Sequence, residues 1–413
     1  MFNLLKHVNA WWSTPHAGRA LLAVLAVAAA HFARAMDVGT TISAFDPLVG
    51  ALEMRRPDAF LADPSPTAGS AISPRILVTP REAVLVGAPT ATGQRRHGVE
   101  RGPAALRAAG LVPALRALGW RVRDAGDAFL PSPPEPPAPH AFPSSAPRGE
   151  KSNAWASPRA AAKHAAVADA VEAAARAGAF PLVLGGDHSV AIGSIAGLLR
   201  ARPNLRVLWI DAHADLNTPG ISPSGNLHGM ALALLANLAS PDELALARGA
   251  YDWLRDNHTD ADGVVVPAAS LTPARFAHVG LRDVDDDEAS LMSRLGARFW
   301  SADDVRSRGA AAVVDDALDW LYRDGANAPL HISLDVDVLD PELMRATGTR
   351  VPGGLTVEDV VEALDAARAR GAVSSADIVE LNVELADDED DAEAFAETAA
   401  KLAAAILGDV RGM

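Results

Sequence analysis

Leu330-His-Ile-Ser-Leu334, followed at once by Asp335-Val-Asp337-Val-Leu-Asp340, sets an apolar run directly against three carboxylates. A short apolar run bounded in this way reads as a buried strand with acids at its carboxyl end. Two other stretches repeat the arrangement. Phe180-Pro-Leu-Val-Leu184 runs into Gly185-Gly-Asp187-His188-Ser189, and Leu205-Arg-Val-Leu-Trp-Ile210 runs into Asp211-Ala-His213-Ala-Asp215. A fourth, Ala376-Asp-Ile-Val379, runs into Glu380. Strands alternating with helical patterns predict an α/β fold of three layers, a mainly parallel sheet with helices on both faces. In open parallel sheets ligands bind beyond the carboxyl ends of the strands, so the acidic clusters are expected to converge there.

Outward from these motifs the pattern continues. Ala83-Val-Leu-Val-Gly87 reads as a further strand. Gly102-Pro103 opens a helix that Gly110 ends, because proline in the first turn gives up an N–H that had no partner. Pro113 is expected to open a second short helix reaching Leu118, and residues 159–177 a longer one rich in alanine. Eight prolines crowd into 131–149, which predicts an extended surface insertion.

Residues 1–36 hold Lys6, Arg19 and Arg34 and no acid. Their apolar centre, Ala20 to Ala30, is shorter than the roughly 20 residues a membrane span needs. A basic, acid-free, alanine-rich start predicts a mitochondrial transit peptide, with no stable membrane insertion after processing. Ala33-Arg34-Ala35 after the apolar centre leaves a secretory signal as the alternative, and an N-terminal anchor as a third. Residues 37–75 read as a linker and 76–413 as the catalytic domain.

The 413 residues carry a net charge of −15, which argues against nucleic acid as a partner and suits a cationic substrate. Cysteine is absent, so disulfides, thiolate metal sites and cysteine nucleophiles are excluded. Histidine and aspartate without sulfur suit manganese or magnesium, less often zinc or iron. Asp211, His213 and Asp215 alternate along an extended segment, as do Asp335 and Asp337, so each set shares one side. Together with His188 they make six candidate ligands. That is too many for one catalytic ion that must also hold water, and suits two ions sharing carboxylates.

Gly185-Gly-Asp-His-Ser189, Asp211-Ala-His-Ala-Asp215 and Ser333-Leu-Asp-Val-Asp337 with Asp340-Pro341 resemble the three signatures of the ureohydrolases, over about residues 82–407. The resemblance implies two Mn2+ per subunit, one held by His188, Asp211, Asp215 and Asp335, the other by His213, Asp211, Asp335 and Asp337. It implies a hydroxide between them attacking a guanidinium carbon. Asp215-Leu-Asn217-Thr-Pro with Ser222-Pro-Ser224-Gly-Asn226-Leu-His228 is similar to the arginase loop, where Asn217, Ser224 and Asn226 would face an α-carboxylate. Gly280-Leu-Arg-Asp283-Val-Asp285 and Glu288 resemble the arginase segment that meets the α-amino group. Neutral amides and hydroxyls can hydrogen-bond a carboxylate, while acids suit an ammonium. The resemblance further implies His228 as general acid, Glu380 in planar pairing with the guanidinium, and Thr349 within reach of it. The implied reaction is L-arginine to L-ornithine and urea, with agmatine or a guanidino acid as the alternative substrate. A homo-oligomer, trimer or hexamer, is implied in the same way. A catalytically silent relative is a further alternative, against which all six ligands, His228 and Glu380 stand.

The chain departs from that pattern at Arg350, where proline is usual after Ala-Thr-Gly-Thr349, and at Leu381-Asn-Val-Glu384, where Val-Asn-Pro is usual. The proline-rich insertion is also atypical. None of these departures removes a ligand.

Overall fold

The computed structural model describes residues 82–129, 157–240, 249–254, 258–259, 265–266, 270–370 and 373–411. The transit-peptide and linker segments, 1–36 and 37–75, and the proline-rich insertion at 131–149 lie outside them. Every described residue falls in the unit spanning 72–413.

Eight parallel strands form one sheet in the order β2-β1-β3-β10-β9-β4-β7-β8. They are β1 (Glu82–Ala88), β2 (Arg121–Asp127), β3 (Phe180–Gly185), β4 (Arg206–Ile210), β7 (Phe276–Leu281), β8 (Arg298–Ser301), β9 (Leu330–Asp335) and β10 (Val373–Val379). A separate antiparallel pair is made by β5 (His258–Thr259) and β6 (Val265–Val266).

Side chains alternate across each strand with period two. Ala83 and Leu85 enter one core and Val84 and Val86 the other. The first core is covered by α1 (Gly102–Ala108), α2 (Leu111–Ala117), α7 (Ala302–Arg308), α8 (Ala310–Leu321), α9 (Val357–Ala369) and α10 (Glu389–Leu407). The second is covered by α3 (Pro158–Arg176), α4 (Val190–Ala201), α5 (Ala231–Leu235) and α6 (Asp286–Leu295). The expected three layers are present. No helix among the described residues is long and apolar enough to cross a membrane.

The register positions the site. Leu184, Ile378, Leu334 and Ile210 lie in one row across β3, β10, β9 and β4. These four neighbouring strands are the ones that carry the four motifs. Residues just beyond the row therefore emerge together at the carboxyl edge.

Some expectations needed adjusting. Pro113 sits inside the first turn of α2, which begins at Leu111, so it tolerates the helix start without opening it. β2, β7 and β8 were not anticipated. β2 is an edge strand, mostly exposed, and has no apolar run to betray it. β8 is the opposite edge, with Phe299 half exposed. β7 is buried, but His278 and Gly280 interrupt its apolar character. His278 Nε2 bonds the carbonyl of Ala214 at 3.0 Å. A Cβ on Gly280 would meet Val338, and its φ of 101° is one that glycine reaches without strain.

Candidate metal centre

His188 follows β3 and points one ring nitrogen at three carboxylates. Its Nδ1 lies 3.0 Å from Asp211, 3.1 Å from Asp215 and 3.1 Å from Asp335. A second cluster adjoins it, with His213 Nδ1 3.1 Å from Asp337 and 3.5 Å from Asp211. The ligand atoms of His188, Asp211 and Asp215 lie within 4.8 Å of one another, as do those of Asp211, His213 and Asp337. Asp211 belongs to both clusters, as a bridging ligand requires.

The hydrogen bonding tests whether metal fits. Ser333 Oγ donates to Asp377 Oδ1 at 2.6 Å, so its oxygen accepts from His188 Nε2 at 2.9 Å. His188 therefore carries a proton on Nε2 and turns Nδ1 towards three buried carboxylates. That Nδ1 is buried and has no hydrogen-bond partner. Three anionic oxygens around that nitrogen are stable only with a positive charge among them, a proton on Nδ1 or a metal cation. The electrostatics agree. Burial by itself lowers the His188 pKa, but Asp211, Asp215 and Asp335 raise it well above its ordinary value. Burial, then the charges of Asp337 and Asp211, pushes Asp335 well above the carboxylate range. A divalent ion resolves both demands by taking the place of the missing positive charge.

Several groups fix these ligands. Trp209, two residues before Asp211, stacks on the His188 ring at 4.1 Å and donates Nε1–H to Asp211 Oδ2 at 2.9 Å. Asp335 Oδ1 accepts from Asp337 N, and Asp211 Oδ1 from His213 N. Asp187 and Asp340 lie outside both clusters. Asp187 accepts from Gly93 N and Ser189 N, and Asp340 from Gly353 N and Gly354 N. A Cβ on Gly186 would collide with the backbone of Thr90, which explains the Gly-Gly pair of this motif.

A cavity of about 170 Å³ opens above the clusters. It is lined by Asn217, Ser224, Asn226, His228, Asp285, Glu288 and Thr349 together with His213, Asp215, Asp335 and Asp337. The residues expected at the substrate thus come together from the loop 217–228, α6 and the 349 turn. Three differ in detail from expectation. Asn217 gives Nδ2 to Asp285 at 3.0 Å and buries Oδ1 without a partner, so only its second N–H is left for a carboxylate. Thr349 donates to Asp337 Oδ2 at 2.8 Å, which orients a ligand. Glu380 does not line the cavity; it lies buried beneath His228, whose Nδ1 is 2.8 Å from its Oε1.

Asp215 and Glu380 hold positive φ values of 50° and 64°, unusual for residues with a Cβ and often found where function demands a placement. His228 is pushed up to about 9: burial lowers it, and the Glu380 carboxylate more than offsets that. Glu288 accepts from Leu216 N at 2.8 Å and is pushed up to about 8, first by burial, then by Asp215 and Asp285. Gln94 and Asp377 were missed in the sequence. Gln94 stands in a turn with no motif around it. Asp377 was read as an ordinary strand residue, although an acid inside an apolar strand was a signal.

The comparisons agree with this geometry. Residues 81–408 match the Arginase family. The chain is 34% identical over 333 residues to the hepatic arginase of Aquarana catesbeiana, covering 81% of this chain and 94% of that one. It is 35% identical over 329 residues to the mitochondrial arginase-2 of Rattus norvegicus, covering 79% and 85%. The arginase structure from Bacillus subtilis superposes with a TM-score of 0.63 at 30% identity, covering 80% of this chain and all of that one. With its eight-stranded parallel sheet and its paired His/Asp clusters, this chain is a hydrolase that belongs to the Arginase family.

Proposed function

We propose that this protein hydrolyses L-arginine to L-ornithine and urea with two Mn2+ ions. The observation that carries the reading is the shared cavity, in which neutral Asn217, Ser224 and Asn226 and acidic Asp285 and Glu288 surround the two clusters. That set of groups matches an amino acid's carboxylate and ammonium held above a reacting guanidinium. His188, Asp211, Asp215 and Asp335 would hold one ion, and His213, Asp211, Asp335 and Asp337 the other. When bound, the ions supply a water ionised near neutral pH as nucleophile.

The chain's own groups do the rest. His228 is protonated at neutral pH because Glu380 lies against its Nδ1. Its Nε2, 3.5 Å from the Asn226 side-chain amide, gives a proton to the departing amine, a step worth about 10²–10⁴ in rate. Glu380 attracts the guanidinium. Glu288 and Asp285 receive the ammonium, and Ser224 and Asn226 the carboxylate. Loop 217–228 distinguishes arginine from agmatine, which has no carboxylate to offer it.

The test is urea release from L-arginine and from agmatine, after incubation with manganese and, separately, with a chelator. Manganese-dependent release favouring arginine supports the reading. Equal or greater release from agmatine overturns the substrate, and no release from any guanidino compound overturns the chemistry. The same proposal places the protein in the mitochondrion, carried there by residues 1–36, and assembles it as a homo-oligomer. Import into isolated mitochondria and sedimentation of the purified chain check these two points.

A further inference from the structure

We infer that Gln94 is the positioning residue that holds the Glu380 carboxylate in place beneath His228, so that the two act together on the substrate guanidinium. This inference rests on the proposed hydrolysis. A carboxylate offers about four lone-pair sites, and three on Glu380 are already taken. Oε1 accepts from His188 N at 2.9 Å and pairs with His228 Nδ1 at 2.8 Å. Oε2 accepts from Gln94 Nε2 at 2.6 Å. Planar pairing through both oxygens is therefore closed while His228 holds Oε1. On Oε2 the donor is Gln94, so this one side chain sets the orientation of the carboxylate beneath His228.

The turn that carries Gln94 is itself fixed. Gly93 N donates to Asp187 Oδ2 at 2.7 Å, and Gly93 O accepts from His228 N at 3.1 Å. A Cβ on Gly93 would collide with Asp187, so the turn lies against the motif without a gap. Asp187 is buried, and Ser189 Oγ, which donates to it, accepts in turn from His164 Nε2 at 3.0 Å. One turn thus holds Glu380 through a side chain and His228 through a carbonyl. The chemistry of Gln94 also fits. A neutral donor orients Glu380 and leaves its negative charge paired with His228. A lysine would neutralise that charge, and a glutamate would repel it.

The test compares the manganese-loaded full-length wild type with Q94A and the near-isosteric Q94E. Each is measured for L-arginine turnover, inhibition by L-ornithine, and metal content. L-ornithine shares the amino-acid end but lacks the guanidinium, so it reads the cavity without reading Glu380. Losing a hydrogen bond to a charged group should lower kcat/KM for arginine about 10–100-fold in Q94A, and further in Q94E. L-ornithine inhibition and metal content should stay as in the wild type. Unchanged arginine turnover in Q94A overturns the inference. So does a loss of ornithine binding in step with turnover, because Gln94 would then be merely structural. A wild type that turns over agmatine in place of arginine overturns the substrate reading alone, and the same split is then read with agmatine and its diamine product. A wild type that releases no urea from any guanidinium overturns both.

Discussion

On one face of β9 and β10 stand Ile332, Leu334, Ala376 and Ile378; on the other stand His331, Ser333, Asp335, Ser375 and Asp377. All nine are buried, on the same two strands, one residue apart. The apolar set packs under α8, α9 and α10. The polar set faces α4 and must be satisfied by hydrogen bonds, since a buried polar group left unpaired costs free energy. It is satisfied as one network. Asp377 accepts from Ser194 Oγ at 2.5 Å and Ser333 Oγ at 2.6 Å, and pairs with His331 Nε2 at 3.1 Å. His331 Nδ1 reaches Ser375 Oγ at 3.1 Å, and Ser333 passes the chain on to His188. The difference teaches that one face of these strands holds the fold together and the other aims the ligands. Substitutions on the two faces should therefore fail in different ways.

The largest effect lies at the end of the polar face. His213→Ala removes a ligand of one cluster and none of the other. Turnover should fall by on the order of a thousandfold, about 4 kcal/mol of barrier. Elemental analysis should show one ion lost more readily than both, and the thermal transition of the protein should persist. Unchanged metal content and turnover would mean the ligand assignment is wrong.

Next comes Ile332→Ala on the apolar face. It should cost about 2–5 kcal/mol of stability through lost burial and the cavity left behind. Chemical denaturation reads this directly, while turnover per folded molecule should stay within about twofold of wild type. A large drop in turnover at unchanged stability would break the division between the faces. Asp377→Asn, on the polar face of the neighbouring strand, should do the reverse. It keeps the volume but weakens the acceptor behind Ser333, so metal affinity should fall about 10–100-fold. Lost stability with unchanged affinity would reduce the network to packing.

The apolar face was largely legible, because buried strands announce themselves as apolar runs. The motif ends were legible too, since His188, Asp211, His213, Asp215, Asp335 and Asp337 follow those runs immediately. The edges were not. β2 reads Arg-Val-Arg-Asp-Ala-Gly-Asp and joins the sheet through its backbone, which no side-chain pattern records. The supports of the site were equally hidden. Gln94 lies 286 residues from Glu380 in sequence, and only the fold brings the two within hydrogen-bond reach. Glu380 was expected to face the substrate openly. Its place beneath His228 depends on a rotamer and a positive φ, which residue types alone do not specify.

The smallest effect concerns pH, and it also belongs to the polar side, where α6 holds Glu288 over the cavity. Its pKa is raised from 4.5 to about 8, so at pH 7 the free protein keeps Glu288 mostly protonated. An ammonium beside it favours the ionised form, and binding below pH 8 must expel the proton. L-ornithine inhibition should therefore tighten by on the order of tenfold between about pH 6.5 and 8, then level off. Glu288→Gln should bind more weakly and flatten that dependence. Linkage fixes the sign for stability. The folded chain binds this proton more tightly than the unfolded chain does. Stability is therefore lost as pH rises from the ordinary value through the raised one, and the Gln variant should recover it at pH 9. An inhibition profile as steep in the variant as in the wild type would move the ammonium contact from Glu288 to Asp285. The polar face of β9 and β10 would keep its role as a metal platform, while Glu288 on α6 would lose its claim on the amino-acid end of the substrate.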